Sequence, residues 1–133
     1  MDIRFIGIPY KLHGRNYDGC DCYGLVYLYM KSKGYTLPKY DFSYTLETSK
    51  EEITVDRALL LGTKLDEPTE LAIVLFYRRS RPVHVGVYTQ GGVLHTSEQR
   101  DSVFEHINSP KLQRFSKMEY YSVSKSYYTA QSL

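Results

Sequence analysis

The run Gly19-Cys20-Asp21-Cys22-Tyr23-Gly24-Leu25-Val26-Tyr27-Leu28-Tyr29-Met30-Lys31-Ser32-Lys33-Gly34 decides how the rest of the chain is read. Taken as a helix, it puts Cys22, Leu25, Val26, Tyr29 and Met30 at i, i+3, i+4, i+7 and i+8, one continuous apolar face. Asp21 is suited to cap it, its carboxylate accepting from the backbone N–H groups of the first turn. Gly34 stands where a left-handed residue would close the helix. This frame puts Cys22 at the first helical position, beside the positive end of the helix dipole. A thiolate is stabilised there, which favours a nucleophilic sulfur. A free cysteine is also at home as a small buried apolar residue, and this segment alone favours neither reading.

Outward from that helix the pattern changes in stages. On the N-terminal side, Asp2 to Ile8 reads as a short helix and Lys11 to Gly19 as a polar loop. On the C-terminal side, Tyr44 to Gly62 reads as a second helix, capped by Thr48 or Ser49 with Glu51 and Glu52 in its first turn. Lys64 to Glu70 is a charged loop. From Leu71 to Tyr77 the residues are uninterruptedly apolar, as in a strand covered on both faces. Arg78 to Pro82 is a basic turn. Val83 to Tyr88 alternates, with three valines on one face and His84, Gly86 and Tyr88 on the other. A loop at 89–92 returns the chain through Val93 to Ser97, and Ser102–Glu105 and Met118–Val123 are further strands. Helices first and an antiparallel meander after them make the fold class α+β. The expected domain is 1–123, with 124–133 a polar, poorly packed tail.

The totals narrow the function. A chain of 133 residues with 42% hydrophobic and 24% charged content is sized and composed for one globular domain. A net charge of +2 is too mild to argue for nucleic acid. No run is long and apolar enough for membrane insertion, and the first residues lack a secretory pattern. Cys20 and Cys22 are too close for an ordinary disulfide, and without a second cluster they make no metal site. No cofactor is expected.

A cysteine nucleophile needs a base, and the base needs a polar group to orient it. Among His13, His84, His95 and His106, the base candidate is His84, next to the bare patch that Gly86 leaves for a helix end or substrate backbone. Hairpin register decides its partner. With a four-residue loop at 88–91, His84 faces His95; with a Gly91-Gly92 turn, His95 moves along the strand and Gln99 faces His84 instead. His95 is therefore the first orienting candidate and Gln99 the reserve.

Three blocks then fall in a familiar order: Tyr10 through Val26 with its Asp21-Cys22-Tyr23-Gly24-Leu25-Val26 core, His84-Val85-Gly86-Val87-Tyr88, and Val93-Leu94-His95-Thr96. Together they resemble the NlpC-type cysteine peptidases, most closely the short versions carried by tailed bacteriophages as tail-tip or tail-assembly cell-wall hydrolases. The resemblance covers most of Ile6 to Thr96. It implies a compact papain-like fold, with the nucleophile helix packed on a small antiparallel sheet. It also implies Cys22 as nucleophile, His84 as base, His95 as orienting residue, and Tyr10 with the Cys22 backbone amide at the oxyanion. The implied substrate is the peptidoglycan stem peptide, cut between D-glutamate and the diamino acid. The implied partners are phage tail-tip proteins, and the implied location is the virion tail. Tyr23 departs from the usual serine, and Pro68-Thr69-Glu70 from the usual Pro-Gly-Asp. The competing expectation is a structural tail-tip protein that keeps the fold with little or no cleavage.

Overall fold

The computed structural model describes residues 1–38, 61–97 and 100–129. The helix α1 spans Cys22–Ser32, with Asp21 as its N-cap accepting from the Gly24 N–H at 2.8 Å. At its far end Gly34 takes φ +98°, the Gly34 N–H donates to the Lys31 carbonyl, and the Tyr35 N–H to that of Met30. This paired closure needs a left-handed residue, which glycine adopts without a Cβ penalty.

Around α1 the strands are β1 (Arg15–Asn16), β2 (Gly19–Cys20), β3 (Leu61–Leu65), β4 (Ile73–Arg78), β5 (Arg81–Thr89), β6 (Gly92–Ser97), β7 (Arg100–His106) and β8 (Lys117–Val123). The first two form a small hairpin inside the expected polar loop. The other six form one antiparallel sheet in the order β3-β8-β4-β5-β6-β7. The expectation of an α+β fold with the helix packed on an antiparallel sheet holds.

Helix α1 packs on β5 and β6. Its residues share a core with Leu75, Val85, Val87 and Leu94, while Val74, Phe76, Val83, Val93, Leu112 and Phe115 form a second core on the opposite face. The helix is buried all round from Cys22 to Met30, not on one face alone. Its outer side is covered by local chain: Arg15 lies 5.2 Å from the Tyr23 ring, and the Tyr23 hydroxyl donates to the Pro38 carbonyl at 2.5 Å. Phe5 meets Tyr29 edge-on at 4.9 Å.

Several local expectations are corrected. The stretch Asp2–Ile8 holds only a 3₁₀ turn, Ile3–Phe5, capped by Asp2. It is fixed by Ser102 in β7, whose backbone bonds Gly7 and Ile8 and whose hydroxyl donates to the Phe5 carbonyl at 2.7 Å. Most of the expected helix 44–62 lies outside the described residues, and its last two, Leu61 and Gly62, are in β3. That strand also takes Lys64 and Leu65 from the expected charged loop. The three valines of β5 do not share a face. A one-residue bulge between the Phe76–His84 and Tyr77–Pro82 pairs sends Val83 to the opposite core from Val85 and Val87. The segment 124–129 is anchored, not loose. The Thr36 N–H donates to the Tyr127 carbonyl, the Thr129 N–H to that of Gly34, and the Tyr35 and Tyr128 rings meet at 5.1 Å.

Candidate active site

The hairpin joining β5 to β6 sets the site. Its turn is Gln90-Gly91, with φ of +51° and +80°, and Thr89 pairs with Gly92 and Val87 with Leu94. Two left-handed residues make the turn that best matches the strands' twist. Neither register weighed from the sequence applies, because Gln90 itself takes a left-handed conformation. Glu70 steadies the turn: one carboxylate oxygen accepts from the Gln90 N–H at 2.9 Å and the other from the Thr89 hydroxyl.

In this register His95 lies across from Gly86, diagonal to His84. A Cβ on Gly86 would stand 3.1 Å from the His95 Cβ and 2.9 Å from the Leu94 carbonyl oxygen. The glycine therefore makes room for β6 at His95, not for a helix end or substrate backbone as expected. Diagonal neighbours on a sheet remain within reach of long or ring side chains. His84 Nε2 and His95 Nδ1 are 2.8 Å apart, and His95 Nε2 lies 2.6 Å from Glu105 Oε1.

Glu105 was not singled out from the sequence. It pairs with Val93 across the β6–β7 ladder, so it shares the face of His95, two residues along. That register would have found it. The imidazoles are walled by aromatic rings: Phe76 lies 4.8 Å from His84, and Phe115 stacks on His84 at 5.8 Å and 7°. Arg78 and Arg114 lie over Phe115 at 5.6 and 4.9 Å, so one arginine of the basic turn is beside the site.

Burial pushes His84 well below the ordinary imidazole value, and the proximity of His95 and Arg114 adds to this. His95 is also lowered, again chiefly by burial, against the opposing pull of Glu105. Both rings are thus neutral at pH 7. The unfolded chain, with histidines near 6.5, then takes up more protons than the folded one as pH falls below that value. Stability is expected to decrease from about pH 7 to about pH 5, before the carboxylates titrate. A melting series over that range checks it, and a melting temperature that stays flat or rises would contradict it.

Cys22 is buried at the first position of α1. Tyr10 is held beside Cys20, two residues before it: residue 10 forms a bridge with Cys20, and the Lys11 N–H donates to the Cys20 carbonyl. The Cys20 thiol is pushed up to about 12, first by burial and then by Asp21, so it stays protonated and inert. His13, at φ +63°, donates its backbone N–H to Asp21, and His106 accepts from the Asn108 N–H, both structural roles.

The predicted residues therefore fall into two groups. His84 and His95 are brought together, with Glu105 added, on the sheet face turned away from α1. Cys22 opens α1, and the Tyr10 backbone is bridged to Cys20 just before it. Among the described residues, the hydrogen bond of His84 runs to His95 and none joins it to Cys22. Gln99 lies outside the described residues.

A family model described as the NlpC/P60 family matches residues 7–131. No curated protein matches the chain in sequence. Similar solved structures include the NlpC/p60 domain of the peptidoglycan hydrolase SagA. It has a TM-score of 0.56 and 16% identity, over 88% of this chain and 89% of that one. An NlpC/P60 family protein from Bacillus cereus has a TM-score of 0.58 and 21% identity, over 93% of this chain and 37% of that one. A protein from Staphylococcus aureus described as similar to a lipoprotein of the NLP/P60 family has a TM-score of 0.57 and 15% identity, over 88% and 37%. At these identities the likeness is one of fold, and the chain spans little more than a third of the last two.

Proposed function

Because the chain belongs to the NlpC/P60 family, whose members are cysteine peptidases acting on peptidoglycan, we propose that it hydrolyses the peptidoglycan stem peptide with Cys22 as nucleophile and His84 as base. The bond is the one between D-glutamate and the diamino acid. The observation that carries this reading is the buried chain of His84, His95 and Glu105, which holds a neutral imidazole with its Nδ1 free of the His95 bond. His84 accepts the thiol proton, and the sulfur attacks the stem-peptide carbonyl. The Cys22 backbone N–H, at the start of α1, and the Tyr10 hydroxyl hold the oxyanion. His84 protonates the leaving amine, and water then hydrolyses the thioester, releasing the acid and restoring the thiol.

This mechanism requires the Cys22 Sγ to come within hydrogen-bond reach of His84 when substrate is bound. Catalytic hydrogen bonds are commonly long in the free enzyme and tighten in the substrate complex. The phage tail belongs to the same proposal. It is supported by the likeness of the three sequence blocks to those of the tail-associated versions of the family. Peptidoglycan and tail-tip proteins are then its partners, and the virion tail its place.

Digestion of purified peptidoglycan, with the fragments identified by mass, tests the proposal. New ends at the D-glutamate–diamino acid bond are expected, and sacculi left intact would contradict it. In the same assay His84→Gln is expected to lower kcat about 10²–10⁴-fold with little change in KM. The second reading, a structural tail-tip protein with cleavage absent or confined to assembly, is favoured by the placement of His84, which bonds His95 and packs on Phe76 in the core on the sheet face turned away from α1. Intact sacculi together with incorporation of the chain into tails would establish it.

A further inference from the structure

Taking His84 as the base, we propose that Glu105 is a positioning residue that decides which nitrogen of His84 carries the proton, acting through His95. A carboxylate oxygen can only accept, so the 2.6 Å contact to Glu105 Oε1 puts the His95 proton on Nε2. The neutral ring then has a bare Nδ1, which must accept across the 2.8 Å contact from His84. That fixes the His84 proton on Nε2 and leaves its Nδ1 lone pair to receive a proton from the nucleophile. The opposite tautomer would present an N–H to the thiol and could not act as base.

The surroundings favour transmission of this choice over its loss to solvent. His84, His95 and Glu105 are all buried, so no bulk water competes for the ring nitrogens. Burial holds both rings neutral, and a neutral ring has one donor and one acceptor, whereas an imidazolium has two donors and transmits nothing. Glu105 is itself fixed by its ladder pairing with Val93, and its second oxygen lies 3.7 Å from Arg100 Nη2. That guanidinium has a consequence for Glu105→Gln. It draws the amide oxygen toward itself and turns the amide NH₂ toward His95, where it donates to Nε2. His95 must then carry its proton on Nδ1, and His84 carries its own on Nδ1.

The test is nitrogen NMR of ¹⁵N-histidine-labelled full-length protein beside peptidoglycan cleavage. The wild-type chain is expected to show His84 protonated at Nε2 and bare at Nδ1. Glu105→Gln is expected to reverse both histidines and to lower kcat by about 100-fold or more. Glu105→Ala, which removes the acceptor without supplying a donor, is expected to give mixed tautomers at His84, and it serves if the glutamine chain does not fold. A wild-type His84 protonated at Nδ1 would overturn the inference. So would a wild-type tautomer retained in the variants, even with activity lost, because Glu105 would then be only structural. The expected tautomers with no cleavage of peptidoglycan would leave this inference standing and remove the peptidase reading instead.

Discussion

Cys22→Ala is expected to reduce hydrolysis of peptidoglycan by about 10⁴–10⁶-fold while leaving the fold intact. The size of the loss follows from the chemistry. Without the sulfur there is no thioester, and the two easier steps collapse into one direct attack by water for which the site has no positioned nucleophile. The loss of stability is expected to be small by comparison, because the change removes one buried sulfur next to Leu25 and Val26 and leaves the Asp21 cap in place. Cleavage rate and melting temperature measured on the same preparation separate the two. Full activity in the alanine variant would rule out Cys22 as nucleophile.

Asp21→Ala is expected to cost about 3–5 kcal/mol of stability. One carboxylate oxygen accepts from the Gly24 N–H at 2.8 Å and from Arg15 Nη1 at 2.7 Å, and the other accepts from the His13 N–H at 2.7 Å. Asp21 is fully buried and the Arg15 side chain is 11% exposed. Truncation therefore uncaps the central helix and takes from a nearly buried guanidinium its carboxylate partner. The cap alone is worth about 1 kcal/mol, and the desolvated charge supplies the remainder. Because the same carboxylate ties down the loop carrying His13 and Arg15, the start of α1 loses its frame as well. Urea unfolding measures the change. A loss below about 1 kcal/mol would mean that the ion pair is not held as described.

The sequence made α1 legible because its signals are local: a cap at Asp21, apolar spacing through Met30 and a left-handed closure at Gly34. The uninterrupted run from Leu71 was equally plain, since a strand buried on both faces has no polar beat to confuse it. The contact between His84 and His95 was anticipated, but from a register that does not occur. Predicting the observed one required knowing that Gln90 would take positive φ, which its side chain does not announce. Glu105 was missed for a related reason. Its position depends on the β6–β7 pairing, and the bulge between His95 and Ser97 shifts that ladder where residue spacing alone gives no warning. The bulge at Val83 likewise hid in a clean alternation, and with it the separation of Val83 from the helix side of the sheet. Local chemistry was readable, whereas one-residue shifts between distant segments were not.

The central claim is that the Cys22 sulfur and the His84 imidazole act on one bond, although they belong to opposite layers of the fold. An electrophilic stem-peptide analogue that traps a thiolate, followed by peptide mapping by mass, tests it most directly. Adduct confined to Cys22 in the wild-type chain, and formed at least about 100-fold more slowly in His84→Gln, is the predicted result. Adduct on Cys22 at the same rate in both chains, or none in either, would contradict it.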